Sequence, residues 1–479
     1  MTIRTIFIYC RILALLLSVV FGLSALSDAA SPNLTDPGKL RYPELQFNPP
    51  KAERIALKNG IIIYFLENNE LPLVSINALL HSGTMYDPYG KEGVAELTVY
   101  LMRTGGTQKL SSHEVDNRLD FMAASPSITA GLDSVQINFS LLDKDIDQGF
   151  DLLSQMLIIP AFEQNKLDLA KRLKTEEIRR LKDDPQKLAF REFNRMIYSG
   201  NPRSRSVSLQ SLADIDREDL IKFHKQFFRP QNVMFALTGN ISRNVAINKI
   251  NQYFGSWELS GNPVLIPSPP QSSKAGVFYI NKEIPQSTVI RGKLSPGKND
   301  PDFHAFTVLD FILGSGGFPS RIFSAVRNNE GLAYSAGSFY RARADHGIFA
   351  AYAFTKTAST IQTLSLIDSV LDNTKINPFT QSEIEWAKKS INNGFIFSFA
   401  SPEQITWQQM KREYDMLPEN FLSTYCSKIE TIQLADLNRI ALKYLNKENT
   451  VTMILGESNK FIRELTGKNG RPISIAPEY

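Results

Sequence analysis

Two pairs of matching segments lie the same distance apart in this chain. Pro160-Ala161-Phe162 is followed by Lys166-Leu167-Asp168-Leu169-Ala170-Lys171, and Asn377-Pro378-Phe379 by Glu383-Ile384-Glu385-Trp386-Ala387-Lys388. Farther on, Ser211-Leu212-Ala213-Asp214 leads to an apolar run ending at Gly239, and Gln433-Leu434-Ala435-Asp436 to one ending at Gly456. Phe162 and Phe379 are 217 residues apart, and so are Gly239 and Gly456. One match can arise by chance, whereas two at a single offset argue for two homologous halves. A period this long means a duplicated domain and not a solenoid of short repeats.

The rest of the chain accommodates that reading. Residues 261–274 carry four Pro among small polar residues, a composition that is extended and poor in regular structure. The expected halves are 45–262 and 273–476, joined by a Pro-rich linker at 263–272. Strands are expected from Gly60 to Leu66, Val74 to Leu80 and Val135 to Leu141. Helices are expected from about Gly93 to Arg103, Asp143 to Leu157 and Glu163 to Lys182. In the second of these, Ile146, Phe150, Leu153 and Leu157 recur at helical spacing. The third is highly charged and stops at Asp183-Asp184-Pro185. Strands pairing around a set of helices give an α+β fold class, each half an antiparallel sheet packed with helices.

Residues 1–30 read as a secretory signal peptide, with Arg4 and Arg11 beside an apolar run from Ile12 to Leu26. Small residues follow, for cleavage after Ala29 or Ala30. The run is short for a membrane span, so an exported, periplasmic chain, soluble after cleavage, is expected. An uncleaved anchor is the alternative. The charge balance, 53 Lys+Arg against 49 Asp+Glu, shows no strongly basic bias of the kind a nucleic-acid binder carries. Two Cys, Cys10 and Cys426, support neither a disulfide framework nor a Cys-rich zinc site. No Gly-rich phosphate loop follows a strand.

The runs Ser82-Gly83-Thr84, Lys91-Glu92-Gly93-Val94-Ala95 and Leu101-Met102-Arg103-Thr104-Gly105-Gly106-Thr107 resemble the pitrilysin, or insulinase, family of zinc metallopeptidases. In that family H-x-x-E-H on a helix sets two His one turn apart on zinc, with the Glu as general base. Here the five positions read Glu96-Leu97-Thr98-Val99-Tyr100. Val99 cannot take a proton, and Tyr100 is a poor ligand near neutral pH. The family's third ligand, a Glu on a later charged helix, matches Glu177, with Glu176 as fallback. His81, His113, His224, His304 and His346 offer no pair at ligand spacing. The resemblance therefore implies a degenerate metal site and no zinc in this chain.

The second half keeps another part of the pattern. Gly314-Ser315-Gly316-Gly317, Ser320-Arg321-Ile322-Phe323 and Arg327-Asn328-Asn329-Glu330-Gly331-Leu332-Ala333-Tyr334-Ser335 resemble the family's C-terminal signature. Its Arg and Tyr, which bind substrate beside the zinc, match Arg327 and Tyr334. If Gly331 turns the chain from a helix into a strand, the Arg fork and the Tyr hydroxyl can converge on one carbonyl oxygen. The bland account is an Arg at a helix end and a packed strand Tyr.

The resemblance, spanning about Glu53 to Ser458, implies two α+β halves paired with another such chain around an unfolded peptide. In some bacterial members one chain carries the zinc helix and the other the Arg/Tyr pair. The leading expectation is a non-catalytic subunit, inactive alone, that lends Arg327 and Tyr334 to an H-x-x-E-H partner holding the zinc. The alternatives are a structural or peptide-binding protein with no peptidase partner, and a self-sufficient enzyme using Glu96, Glu177 and a distant His.

Overall fold

A computed structural model describes residues 50–375, 377–468, 471–477 and 479. Residues 1–30, expected to be a signal peptide, and residues 45–49 of the expected first half lie outside the described residues. The first half contains β1 (Glu53–Ala56), β2 (Ile62–Glu67), β3 (Leu73–Leu80), α1 (Val94–Thr104), α2 (Ser112–Phe121), β4 (Ser127–Ala130) and β5 (Val135–Leu142). It continues with α3 (Ile146–Ile158), α4 (Gln164–Arg180), α5 (Pro185–Ile197), α6 (Leu209–Asp214), α7 (Arg217–Phe227), β6 (Val233–Gly239) and α8 (Arg243–Phe254). The second half contains β7 (Gly276–Asn281), β8 (Gln286–Ser295), α9 (Phe303–Asp310), α10 (Arg321–Phe323), β9 (Ala333–Ala342) and β10 (Gly347–Lys356). After these come α11 (Thr360–Asp372), α12 (Gln381–Ile396), α13 (Pro402–Tyr414), α14 (Phe421–Glu430), α15 (Leu434–Tyr444), β11 (Val451–Gly456), α16 (Ile462–Lys468) and β12 (Ile473–Ser474).

Each half builds a six-stranded sheet, in the orders β1-β2-β6-β3-β5-β4 and β12-β7-β11-β8-β10-β9. The last five positions of the two orders correspond one to one, which makes the duplication visible in three dimensions. The α+β class with two like halves holds, but the sheets are mixed and not wholly antiparallel. β6 runs parallel to β2 and antiparallel to β3, and β11 runs parallel to β7 and antiparallel to β8. The reason is geometric. β2 and β3 run in opposite directions and leave a gap one strand wide. A strand that returns into that gap after the helices must be parallel to one wall.

Returning strands lose both faces to solvent. All seven residues of β6 and all six of β11 are buried. Val233, Phe235 and Leu237 of β6 face their own half's core, packed with Phe150 and Phe254. Met234 and Ala236 point the other way, onto Met410 and Tyr414 of α13, which belongs to the second half. The exchange is reciprocal: Leu188, Phe193 and Ile197 of α5 pack on Phe278, Ile290 and Met453 of the second sheet. Pro185, expected to end a helix, in fact opens α5, where its missing N–H is no loss and the Asp184 side chain accepts from Lys187 N. Among the described residues no helix is long and apolar enough to cross a membrane.

Candidate functional site

Helix α1 starts at Gly93, whose φ of 109° only Gly adopts without strain. The buried Asp87 carboxylate accepts from Gly93 N at 2.8 Å and Ala95 N at 2.7 Å. Burial nevertheless pushes its pKa up to about 7, against those two donors. The helix packs against the edge strand β4 and against α4. The segment from Ser125 to Gly131 contains the edge strand β4 beside α1.

The four degenerate metal positions occupy this helix pair. Val99 is 3% exposed and offers no donor atom, whereas Tyr100 is 41% exposed. Between α1 and α4 stands a residue that sequence reading passed over. The ammonium of Lys174 lies 2.6 Å from Glu96 Oε2 and 3.0 Å from Glu177 Oε2. Burial opposes its charge, but the two carboxylates more than offset that and hold its pKa above the ordinary value. The fallback Glu176 turns away to Arg179, at 2.8 Å. An ammonium thus joins Glu96, which stands at the first His position, to Glu177, which stands at the third-ligand position. These residues do not fit a zinc ion: one ligand position is Tyr, the base position is Val, and an ammonium holds both carboxylates. A signal was present in the sequence, because Lys174 lies one turn before Glu177, at i and i+3.

Four of the five His residues pack within the fold, and His113 is exposed. His224 is buried, with Nε2 2.9 Å from Leu157 O, and His81 stacks on Tyr414 at 4.0 Å. His304 is buried beside Phe303, His346 contacts Asp345 and Tyr198, and His113 contacts Asn117. Among the described residues no group of three or more His, Cys, Asp and Glu side chains could hold a metal ion.

Arg327 and Tyr334 come together in the second half. Arg327 sits in a π-helical turn over Ser324–Asn329, which follows α10. Gly331, at φ 62° with nothing within 4 Å of the position its Cβ would take, donates to Arg327 O and redirects the chain into β9. Tyr334 stands near the start of β9, an edge strand, and is 81% exposed. The guanidinium does not point alongside the phenol hydroxyl as expected. It lies 4.9 Å from the centre of the Tyr334 ring, with Phe323 at 5.0 Å and Phe318 at 5.4 Å. Phe318, 65% exposed, was not foreseen. Three aromatic faces hold the half-buried cation through their ring quadrupoles, beside the exposed Tyr334 hydroxyl. The glycine run before it is not a free loop. A Cβ on Gly314 would come within 2.2 Å of Ser338 N, and one on Gly316 within 2.4 Å of Trp386.

Comparison with known proteins gives these two halves a family. Residues 64–210 match the family described as Insulinase (Peptidase family M16), and residues 214–391 match Peptidase M16 inactive domain. The protein called "Uncharacterized zinc protease YmxG" from Bacillus subtilis is 21% identical over 409 residues, covering 85% of this chain and 99% of that protein. The crystal structure of a peptidase M16 inactive domain from Pseudomonas fluorescens superimposes with a TM-score of 0.77 at 24% identity, over 85% of this chain and 98% of the other. The periplasmic protease PqqL from Escherichia coli gives a TM-score of 0.72 at 15% identity. There, 86% of this chain matches 46% of the PqqL chain.

Proposed function

Because the chain belongs to the insulinase family, peptidase M16, we propose that it is the non-catalytic, substrate-binding subunit of an exported heterodimeric zinc metallopeptidase. One observation carries this reading. The zinc positions are closed by Lys174 between Glu96 and Glu177, with Val99 at the base position, while a half-buried Arg327 remains paired with a solvent-exposed Tyr334. The missing half of the chemistry then belongs to a homologous H-x-x-E-H chain, whose zinc supplies an activated water when bound. In the shared site Arg327 and Tyr334 donate to the carbonyl oxygen of the scissile bond. Charge develops there in the transition state, so donors placed in advance accelerate the step. Export rests on the leader-like segment at residues 1–30 and on fold likeness to a periplasmic protease.

The test is hydrolysis of an unfolded peptide by the mature chain, alone and mixed with an H-x-x-E-H chain from the same source. Activity is expected only in the mixture, and Arg327→Ala is expected to lower it by roughly 10² to 10³. Hydrolysis by this chain alone would mean that a metal site exists elsewhere. A full rate from the Arg327 variant in the mixture, or no activity from it and a stable complex with a non-peptidase protein, would favour a structural or peptide-binding role instead.

A further inference from the structure

Six arginines line one cavity of about 290 Å³ where the two halves meet. Arg191 and Arg195 come from α5, Arg203 and Arg205 from the segment after it, and Arg341 and Arg343 from the β9 end and the turn that follows. Among the described residues no carboxylate side chain lines it. Four of the six pair with acids that do not line the cavity. Arg191 and Arg195 share the fully buried Glu192 at 2.6 and 2.9 Å, Arg203 lies 3.8 Å from Asp345, and Arg343 pairs with Asp133. The other two have no such partner among the described residues. Arg205 donates to Asp87 O at 2.7 Å, and the exposed Arg341 stacks on Phe339 at 4.8 Å.

The cavity is not isolated. A neighbouring space of about 460 Å³ shares Arg191, Arg195 and Arg205, and another of about 710 Å³ shares Arg191 and reaches Lys174 and Glu177. It therefore communicates with the face that bears the degenerate metal positions. At its rim the Tyr479 ring lies 5.8 Å from the Arg191 guanidinium.

We propose that this arginine-lined cavity binds an acidic segment of an unfolded polypeptide, with Arg205 and Arg341 as the donors that meet its carboxylates. The proposal rests on the substrate-binding reading above and names the substrate class. Guanidinium forks match carboxylates bidentately, and Arg191 and Arg195 are already oriented by the buried Glu192. The same charges reject a basic segment, so the cavity selects as well as binds.

Binding is measured on the mature chain without a partner, by fluorescence anisotropy. The probes are three labelled disordered peptides of equal length, acidic, uncharged and basic, with tripolyphosphate as a small-anion competitor. The acidic peptide should bind about tenfold tighter than the others and weaken as salt is raised. Arg341→Glu, on an exposed edge-strand position that leaves the fold intact, should remove about tenfold of that affinity, and Arg205→Gln should weaken it in the same direction. Lys109→Glu, exposed and outside the cavity, should change nothing. Equal binding of all three peptides, or arginine variants without effect, overturns the proposal while leaving the substrate-binding reading in place. Tripolyphosphate binding without acidic-peptide binding overturns it as well. Failure of every peptide to bind removes both.

Discussion

His224 carries no charge in the folded chain at neutral pH. Burial pushes its pKa down to about 4, even though donation to Leu157 O favours the protonated ring. In the unfolded chain the same imidazole titrates near its ordinary value of about 6.5. The folded pKa is the lower one, so on acidification the unfolded chain takes up a proton that the folded chain refuses. This contribution to stability is complete above about pH 6.5 and is lost as pH falls toward 4. Between pH 7 and pH 5 it should amount to about 2 kcal/mol. Denaturant titrations at those two pH values should therefore show a smaller pH loss in His224→Gln, whose amide can still reach Leu157 O. Identical losses would assign the acid sensitivity to other groups, His304 first, because burial pushes its pKa to about 4 as well. At this scale Arg327 and Tyr334 were singled out through the resemblance of their run to the family's signature, and the fold does bring them together. Phe318 was not, because it joins the pair only when the turn before α10 folds back over the guanidinium.

Helices α1 and α4 are joined where the family's metal positions would fall. Their placement was readable, since the apolar period of one and the charge density of the other are local properties. Lys174 was not, because its role depends on Glu96 standing 78 positions earlier in sequence and 2.6 Å away in space. The ammonium stands between the two carboxylates and ties α1 to α4. The arrangement makes reversion of the motif insufficient by itself. Glu96→His, Val99→Glu and Tyr100→His together restore H-x-x-E-H, yet Lys174 would still stand at Glu177 and repel a dication. Metal analysis after dialysis against zinc should find no bound ion in that triple variant. It should find about one per chain once Lys174→Ala is added. Stoichiometric zinc in the triple variant would show that Lys174 swings away freely and closes nothing.

Across the whole molecule the halves are joined by more than the Pro-rich linker. Each sheet has one face covered by its own helices and the other by a helix of the opposite half, α13 on β6 and β2, α5 on β11 and β8. The duplication could be read from one offset in the sequence. The exchange could not, because the apolar stripe Leu188, Phe193 and Ile197 on α5 fits an apolar sheet face and does not say whose. Its consequence is cooperative: neither half can bury its returning strand alone. Phe193 is fully buried in the second half's core while belonging to the first half's chain. Phe193→Ala removes that side chain and should cost about 3–5 kcal/mol. If the halves fold as one unit, the loss appears as a lower midpoint of a single transition, followed alike by the fluorescence of Trp257 in the first half and of Trp386 in the second. Monitored in single-tryptophan variants, the two probes should shift together. A shift at one probe only would mean that each half unfolds on its own and that the exchanged helices merely rest on their neighbours.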